Sequence, residues 1–127
     1  MIVRVALVAA GGAAGAVGRY LLGAWIAARV GPAFPWSTFV INVSGSFLIG
    51  IVLGLATEGV LSAEARLFLA VGVLGGYTTF STFSYETLEL LADGTIGAFL
   101  LNVLGQLAAG LAAVALGLAL SRALGGA

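Results

Sequence analysis

Cysteine, histidine and lysine are all absent from this chain. Without cysteine there are no disulfides and no thiolate chemistry, and without histidine there are no imidazole bases and none of the commonest transition-metal sites. Charge of either sign is scarce: five arginines stand against five acids, and charged residues make up 8% of the chain. Soluble domains carry about 25%, so a water-soluble fold would lack a polar coat. So few cations form no basic surface for nucleic acid. Asp93 is the sole aspartate. With neither facing aspartates nor a histidine base, an intramembrane protease has nothing to work with, and no nucleotide-binding or organic-cofactor motif is present. The expectation is a protein that is not an enzyme.

What is abundant is apolar: 61% of the 127 residues are hydrophobic and mean hydropathy is +1.20. The class this implies is an integral membrane protein. A hydrocarbon core of about 30 Å needs about 20 apolar residues per helix, and four stretches qualify, at about 3–28, 36–57, 65–91 and 95–120. They form a single all-α, four-helix membrane domain spanning 1–127. Gly31-Pro32 and Asp93-Gly94 supply turns, and the Trp36 indole suits the headgroup level. The first stretch is too long, and too poor in leading positive charge, for a cleaved signal peptide, so it is expected to be retained. An even number of spans puts both termini on one side.

Orientation follows from arginines near the span ends. Arg4, Arg66 and Arg122 flank one side and Arg29 the other. So small a bias fits either a single orientation or a chain that inserts both ways and pairs with its inverted copy. Small residues recur at four-residue spacing: Gly11, Gly15 and Gly23 on the first helix, and Ser46, Gly50 and Gly54 below Asn42 on the second. Asn102, Gln106 and Gly110 form a stripe on the fourth. Such faces let helix backbones approach closely, a main source of association in lipid. Four short helices enclose no hydrated path alone, so a pore is expected at a subunit interface.

Ionisable and amide groups inside a span are functional candidates by default, since burying a charge there costs at least about 2.5 kcal/mol. Arg19 lies well inside the first span; it either serves function, snorkels toward Arg29, or pairs with backbone carbonyls. Asn42 either joins helices or donates to an anion. Asn102 and Gln106 admit the same two readings, helix glue being favoured. The segment GGYTTFSTFSYE at 75–86 has poor helix propensity at Gly75-Gly76 and Thr78-Thr79. A break there frees backbone carbonyls that suit a hard cation, whereas an unbroken helix uses the glycines for close packing; composition leaves both readings open. Phe80 and Phe83 share one helix face, and Thr79, Thr82 and Glu86 another. The rings are either packing or edge-on anion ligands, because a benzene ring has a positive edge. An edge holds an anion loosely enough to release it, as conduction requires. Periodicity does not choose between these.

Three strings, GGYTTFSTFSYE at 75–86, PWSTFVINVSGSFLIG at 35–50 and GAVGRYLLG at 15–23, resemble the Fluc (CrcB) fluoride channels of bacteria. With four spans in the same order, the resemblance covers essentially the whole chain. It implies an antiparallel, dual-topology homodimer in the bacterial inner (plasma) membrane, with two pores along the dimer interface and passive export of fluoride that confers resistance. It also implies a third helix broken near Gly75–Phe80 and a central structural sodium ion held by the Gly75 and Thr78 carbonyls. The fluoride pathway would comprise Asn42, Phe80 and Phe83, supported by the polar residues Arg19, Ser81, Thr82, Glu86 and Asn102. The expected partners are fluoride, an inverted second copy and membrane lipid. One departure stands out: family members carry hydroxyl side chains on the fourth helix where this chain has Asn102, Gln106 and Gly110.

Two other classes remain. A proton-coupled exporter of the small multidrug-resistance kind needs an intramembrane carboxylate on its first helix, where this chain has Arg19, leaving Glu86 as the substitute. A noncatalytic membrane scaffold would move no ion.

Overall fold

A computed structural model describes residues 1–126. Among them lie four helices long and apolar enough to cross a membrane: α1 (Ile2–Val30), α2 (Trp36–Thr57), α3 (Ala63–Ala92) and α4 (Ile96–Gly125). Gly31 and Gly94, at φ 74° and 76°, make the left-handed turns that end α1 and separate α3 from α4. Phe34, Trp36 and Phe39 cluster at the start of α2, with ring centroids 4.7–6.1 Å apart, as aromatic side chains do at a membrane–water boundary.

Burial is inverted relative to a soluble protein. Among the described residues the largest fully buried side chains are the polar Asn102 and Ser121, while Tyr20, Leu111 and Leu116 are 73%, 72% and 64% exposed. Lipid is as apolar as leucine, so burying leucine gains little; small residues and hydrogen bonds hold the helices together instead.

The small-residue faces split into two seams. On α1, Gly11 and Gly15 meet the first half of α3, where a Cβ on Gly72 would come within 3.0 Å of Gly11 Cα and a Cβ on Gly76 within 2.5 Å of the Gly12 carbonyl. On α2, Gly50 packs on Val114 and Gly117 of α4, and Gly54 on Ser121. Gly23 is looser: a Cβ there would lie 3.6 Å from Ile41 Cδ1, an ordinary contact. A Cβ on Gly15 would overlap the Val73 carbonyl, whereas one on Gly18 meets nothing within 4 Å. Gly15→Ala is therefore expected to destabilise the fold by about 1–3 kcal/mol, and Gly18→Ala to be neutral or slightly stabilising. Unfolding in mixed micelles would measure both, and equal stability of the two variants would refute this seam.

The third span is irregular. After the turn Ala63–Arg66, capped by the Ser62 hydroxyl, the backbone is π-helical over Leu67–Leu74. Gly75–Tyr77 returns to α geometry, Thr78 and Thr79 are extended, and helix resumes over Phe80–Ala92. Extended backbone at that depth survives only if its polar groups find partners inside the protein.

Candidate functional site

The partners of that segment come from two helices upstream. Asn42 on α2 takes both backbone groups of Thr79: its Oδ1 accepts from the Thr79 N–H at 2.9 Å, and its Nδ2 donates to the Thr79 carbonyl at 3.0 Å. Arg19 on α1 donates from Nε to the Gly76 carbonyl at 3.2 Å. Of the readings open to that arginine, pairing with a backbone carbonyl is the one seen. The Thr79 hydroxyl caps the resuming helix by accepting from the Thr82 N–H at 3.2 Å, and donates to the Thr82 hydroxyl at 3.0 Å. Gly45, one turn beyond Asn42, leaves the space that the Thr78 side chain fills.

Asn42 also begins a buried chain of hydrogen bonds. Its second Nδ2 hydrogen goes to Gln106 Oε1 at 2.9 Å, Gln106 Nε2 donates to Asn102 Oδ1 at 2.9 Å, and Asn102 Nδ2 donates to the Thr87 hydroxyl at 2.8 Å. Thr87 in turn donates to the Phe83 carbonyl at 2.6 Å. Every link points its proton toward the next acceptor, so the orientation of each amide is set by its neighbour. Asn102 and Gln106 thereby tie α4 to both α3 and α2.

Above this chain lies a groove of about 350 Å³, lined by Asn42, Ser46, Thr78, Thr79, Phe80, Phe83 and Gln106. The Phe80 and Phe83 rings sit 5.8 Å apart at an interplanar angle of 45°, and Phe80 is 78% exposed. Among the described residues no arginine or carboxylate lines the groove. Its polar atoms are amides, hydroxyls and backbone, set against two aromatic rings.

The other sequence-derived candidates lie around the groove. Ser81 is exposed, its hydroxyl 3.3 Å from that of Thr79. Asn102 is buried behind the groove. Glu86 accepts a hydrogen bond from Thr38 and lines a separate cavity of about 280 Å³ with Pro35, Ser37, Glu89 and Asp93. Leu74 O takes both the N–H and hydroxyl of Thr78, and the Thr79 N–H turns to Asn42. The Gly75 and Thr78 carbonyls thus have no hydrogen-bond partner among the described residues. Neutral, hard oxygens of that kind fit an alkali cation, and no group of three acidic or soft side chains competes for one among the described residues.

Sequence reasoning overlooked Thr38, Gly45 and Thr87. Helical spacing carried a signal for two of them, since Thr38 lies one turn before Asn42 and Thr87 one turn after Phe83.

Comparison with known proteins adds an independent line. The family described as CrcB-like protein, Camphor Resistance (CrcB), matches residues 6–118. A fluoride-specific ion channel FluC from Thermus thermophilus is 58% identical over 123 residues, 97% of each chain. Another FluC, from Agrobacterium fabrum, is 48% identical over 121 residues, covering 94% of this chain and 97% of its own. The matched region runs from the first turns of α1 almost to the end of α4, taking in the Asn42 clamp, both rings and the buried amide chain, and on that evidence the chain belongs to the CrcB-like family.

Proposed function

We propose that this chain is a fluoride-selective channel that lets the anion leave the cytoplasm passively and so confers fluoride resistance. The observation that carries the reading is near-full-length identity, up to 58%, to proteins named fluoride-specific ion channels. The groove is consistent with it chemically. A desolvated fluoride ion needs its water shell replaced, yet a full cation would hold it too firmly for release. Ring edges of Phe80 and Phe83, with amide hydrogens of Asn42, meet both demands. Those hydrogens are shared between the Thr79 carbonyl and Gln106, and an entering anion, the stronger acceptor, competes for them.

The working unit is an antiparallel homodimer in the bacterial inner membrane, with two pathways at its interface. Phe80, largely uncovered in one chain, then faces its inverted copy. The Gly75 and Thr78 carbonyls of both copies would hold a sodium ion, which supplies structural cross-linking and a fixed positive field in low dielectric. Hydrogen fluoride crosses lipid while neutral and ionises in the less acidic cytoplasm; an inside-negative potential then drives the anion outward, by about 2.3 kcal/mol per 100 mV. Proton-coupled drug export is less favoured, because Glu86 lines a different cavity from the groove.

Liposomes loaded with fluoride and carrying the purified protein are expected to discharge it once a potassium ionophore clamps the potential, while chloride-loaded liposomes hold their contents. Fluoride release no faster than from protein-free liposomes, or equal release of chloride, would refute the assignment.

A further inference from the structure

The membrane end that carries Arg4 and Arg66 holds two cavities apart from the groove. One, of about 170 Å³, is lined by Arg4, Ala63, Glu64, Arg66 and Leu67. The other, of about 320 Å³, is lined by Arg4, Val5, Val8, Ala9 and Leu67. Arg4 and Leu67 border both, so a recess holding two guanidiniums and one carboxylate adjoins an otherwise aliphatic trough between α1 and the start of α3.

Of the other three arginines, Arg122 stands exposed in the last turn of α4, where the helix dipole favours a cation, and borders neither cavity; the remaining two are bonded within the fold. Arg19 donates to Gly76; Arg29 donates to the Trp25 carbonyl at 3.0 Å and lies 3.9 Å over the Trp25 ring. Arg4 and Arg66, both exposed, have no hydrogen-bonded or ion-paired partner among the described residues. Arg4 also stands in the first turn of α1, which has no acidic residue and where the helix dipole disfavours a cation. Depth matters as well. The 29 residues of α1 span about 43 Å at 1.5 Å each, against a hydrocarbon core of about 30 Å. Centred on that core, the helix places its first turn among headgroups and Val8 and Ala9 at the level of acyl chains.

We propose that the recess and trough together bind an anionic phospholipid, with its phosphodiester between Arg4 and Arg66 and an acyl chain along Val5, Val8 and Ala9. Guanidinium forks match phosphate oxygens, and basic pockets between membrane helices take lipid headgroups. Free phosphate has use for the recess and none for the trough. A zwitterionic lipid fills the trough and offers the same phosphodiester, but its ammonium group offsets that charge against a recess of two arginines and one glutamate. An anionic lipid fills the trough and brings a net negative charge to the recess. The proposal is independent of which ion the protein moves.

The test titrates the purified full-length protein with phosphatidylglycerol, or with phosphatidylcholine of the same acyl chains, and counts retained lipid by native mass spectrometry. Wild type is expected to prefer phosphatidylglycerol. Arg4→Gln or Arg66→Gln should each lower that preference about fivefold; both positions are exposed, so the fold is kept. Val8→Trp, which fills the trough and leaves the arginines, should weaken retention of both lipids. Millimolar inorganic phosphate should leave phosphatidylglycerol bound. Equal retention of the two lipids by wild type, or an undiminished preference in the double arginine variant, would overturn the proposal, as would displacement of the lipid by inorganic phosphate.

Discussion

Phe83→Ile should lower fluoride efflux from proteoliposomes at least about tenfold, with Phe80→Ile similar and the double variant indistinguishable from empty liposomes. Isoleucine keeps much of the bulk and all of the hydrophobicity of the ring but has no positive edge. A ring edge worth about 1.4 kcal/mol to the passing anion corresponds to a factor of ten. The fold should survive, because Phe83 is half-buried and Phe80 78% exposed, and what is lost between them is one tilted pair at 5.8 Å, worth about 0.5–1.5 kcal/mol. Efflux and thermal unfolding, measured on the same preparations, separate the two effects. Wild-type efflux from both single variants would reduce the rings to packing.

Asn42→Leu should have the largest effect on stability. It removes three hydrogen bonds at once and leaves the Thr79 N–H, the Thr79 carbonyl and Gln106 Oε1 without their partners. Stranding a buried polar group costs about 1–3 kcal/mol; these three sites are part-buried, which favours the lower end, so the expected total is about 3–6 kcal/mol, a large part of an ordinary folding free energy of about 5–15 kcal/mol. Asn42→Asp keeps an acceptor for the Thr79 N–H but sets a carboxylate against the Thr79 carbonyl and Gln106 Oε1 inside a span. That costs at least about 2.5 kcal/mol, so it should be no milder than leucine. Reversible unfolding in micelles provides the measurement. A leucine variant as stable as wild type would show that residues 78–79 hold their extended shape without the clamp.

The four spans were legible because length and hydropathy suffice for them: a run of about twenty apolar residues has the length of a bilayer core and little use in water. The small-residue stripes were legible as faces, though not as pairs: the match of Gly11 with Gly72 and of Gly50 with Gly117 exists only in the packed helices. At 75–79 the residues themselves supported either a continuous or an interrupted helix. What decides between them is Asn42, 37 positions away in the chain, and such a contact leaves no mark on local periodicity. The π-helical stretch Leu67–Leu74 was hidden for a related reason: LFLAVGVL reads as an ordinary apolar run. Asn42 and Gln106 were visible as polar residues in an apolar setting. That they bond to each other, and that Asn102 carries the chain on to Thr87, depends on how α2 and α4 are rotated about their axes, which spacing alone does not specify.

The clamp on Thr79 also constrains how the protein is made. A bare N–H or C=O facing hydrocarbon costs several kcal/mol, so the third span cannot rest in lipid by itself in its finished shape. Both groups that quiet its backbone, Arg19 and Asn42, lie earlier in the chain and have already been synthesised when residues 78–79 leave the ribosome. Gln106 and Asn102 arrive afterwards and lock an arrangement that already exists. Helix order along the gene is therefore not interchangeable: a circular permutant starting at α3 would have to hand its exposed backbone to the bilayer before any chaperoning side chain had been translated.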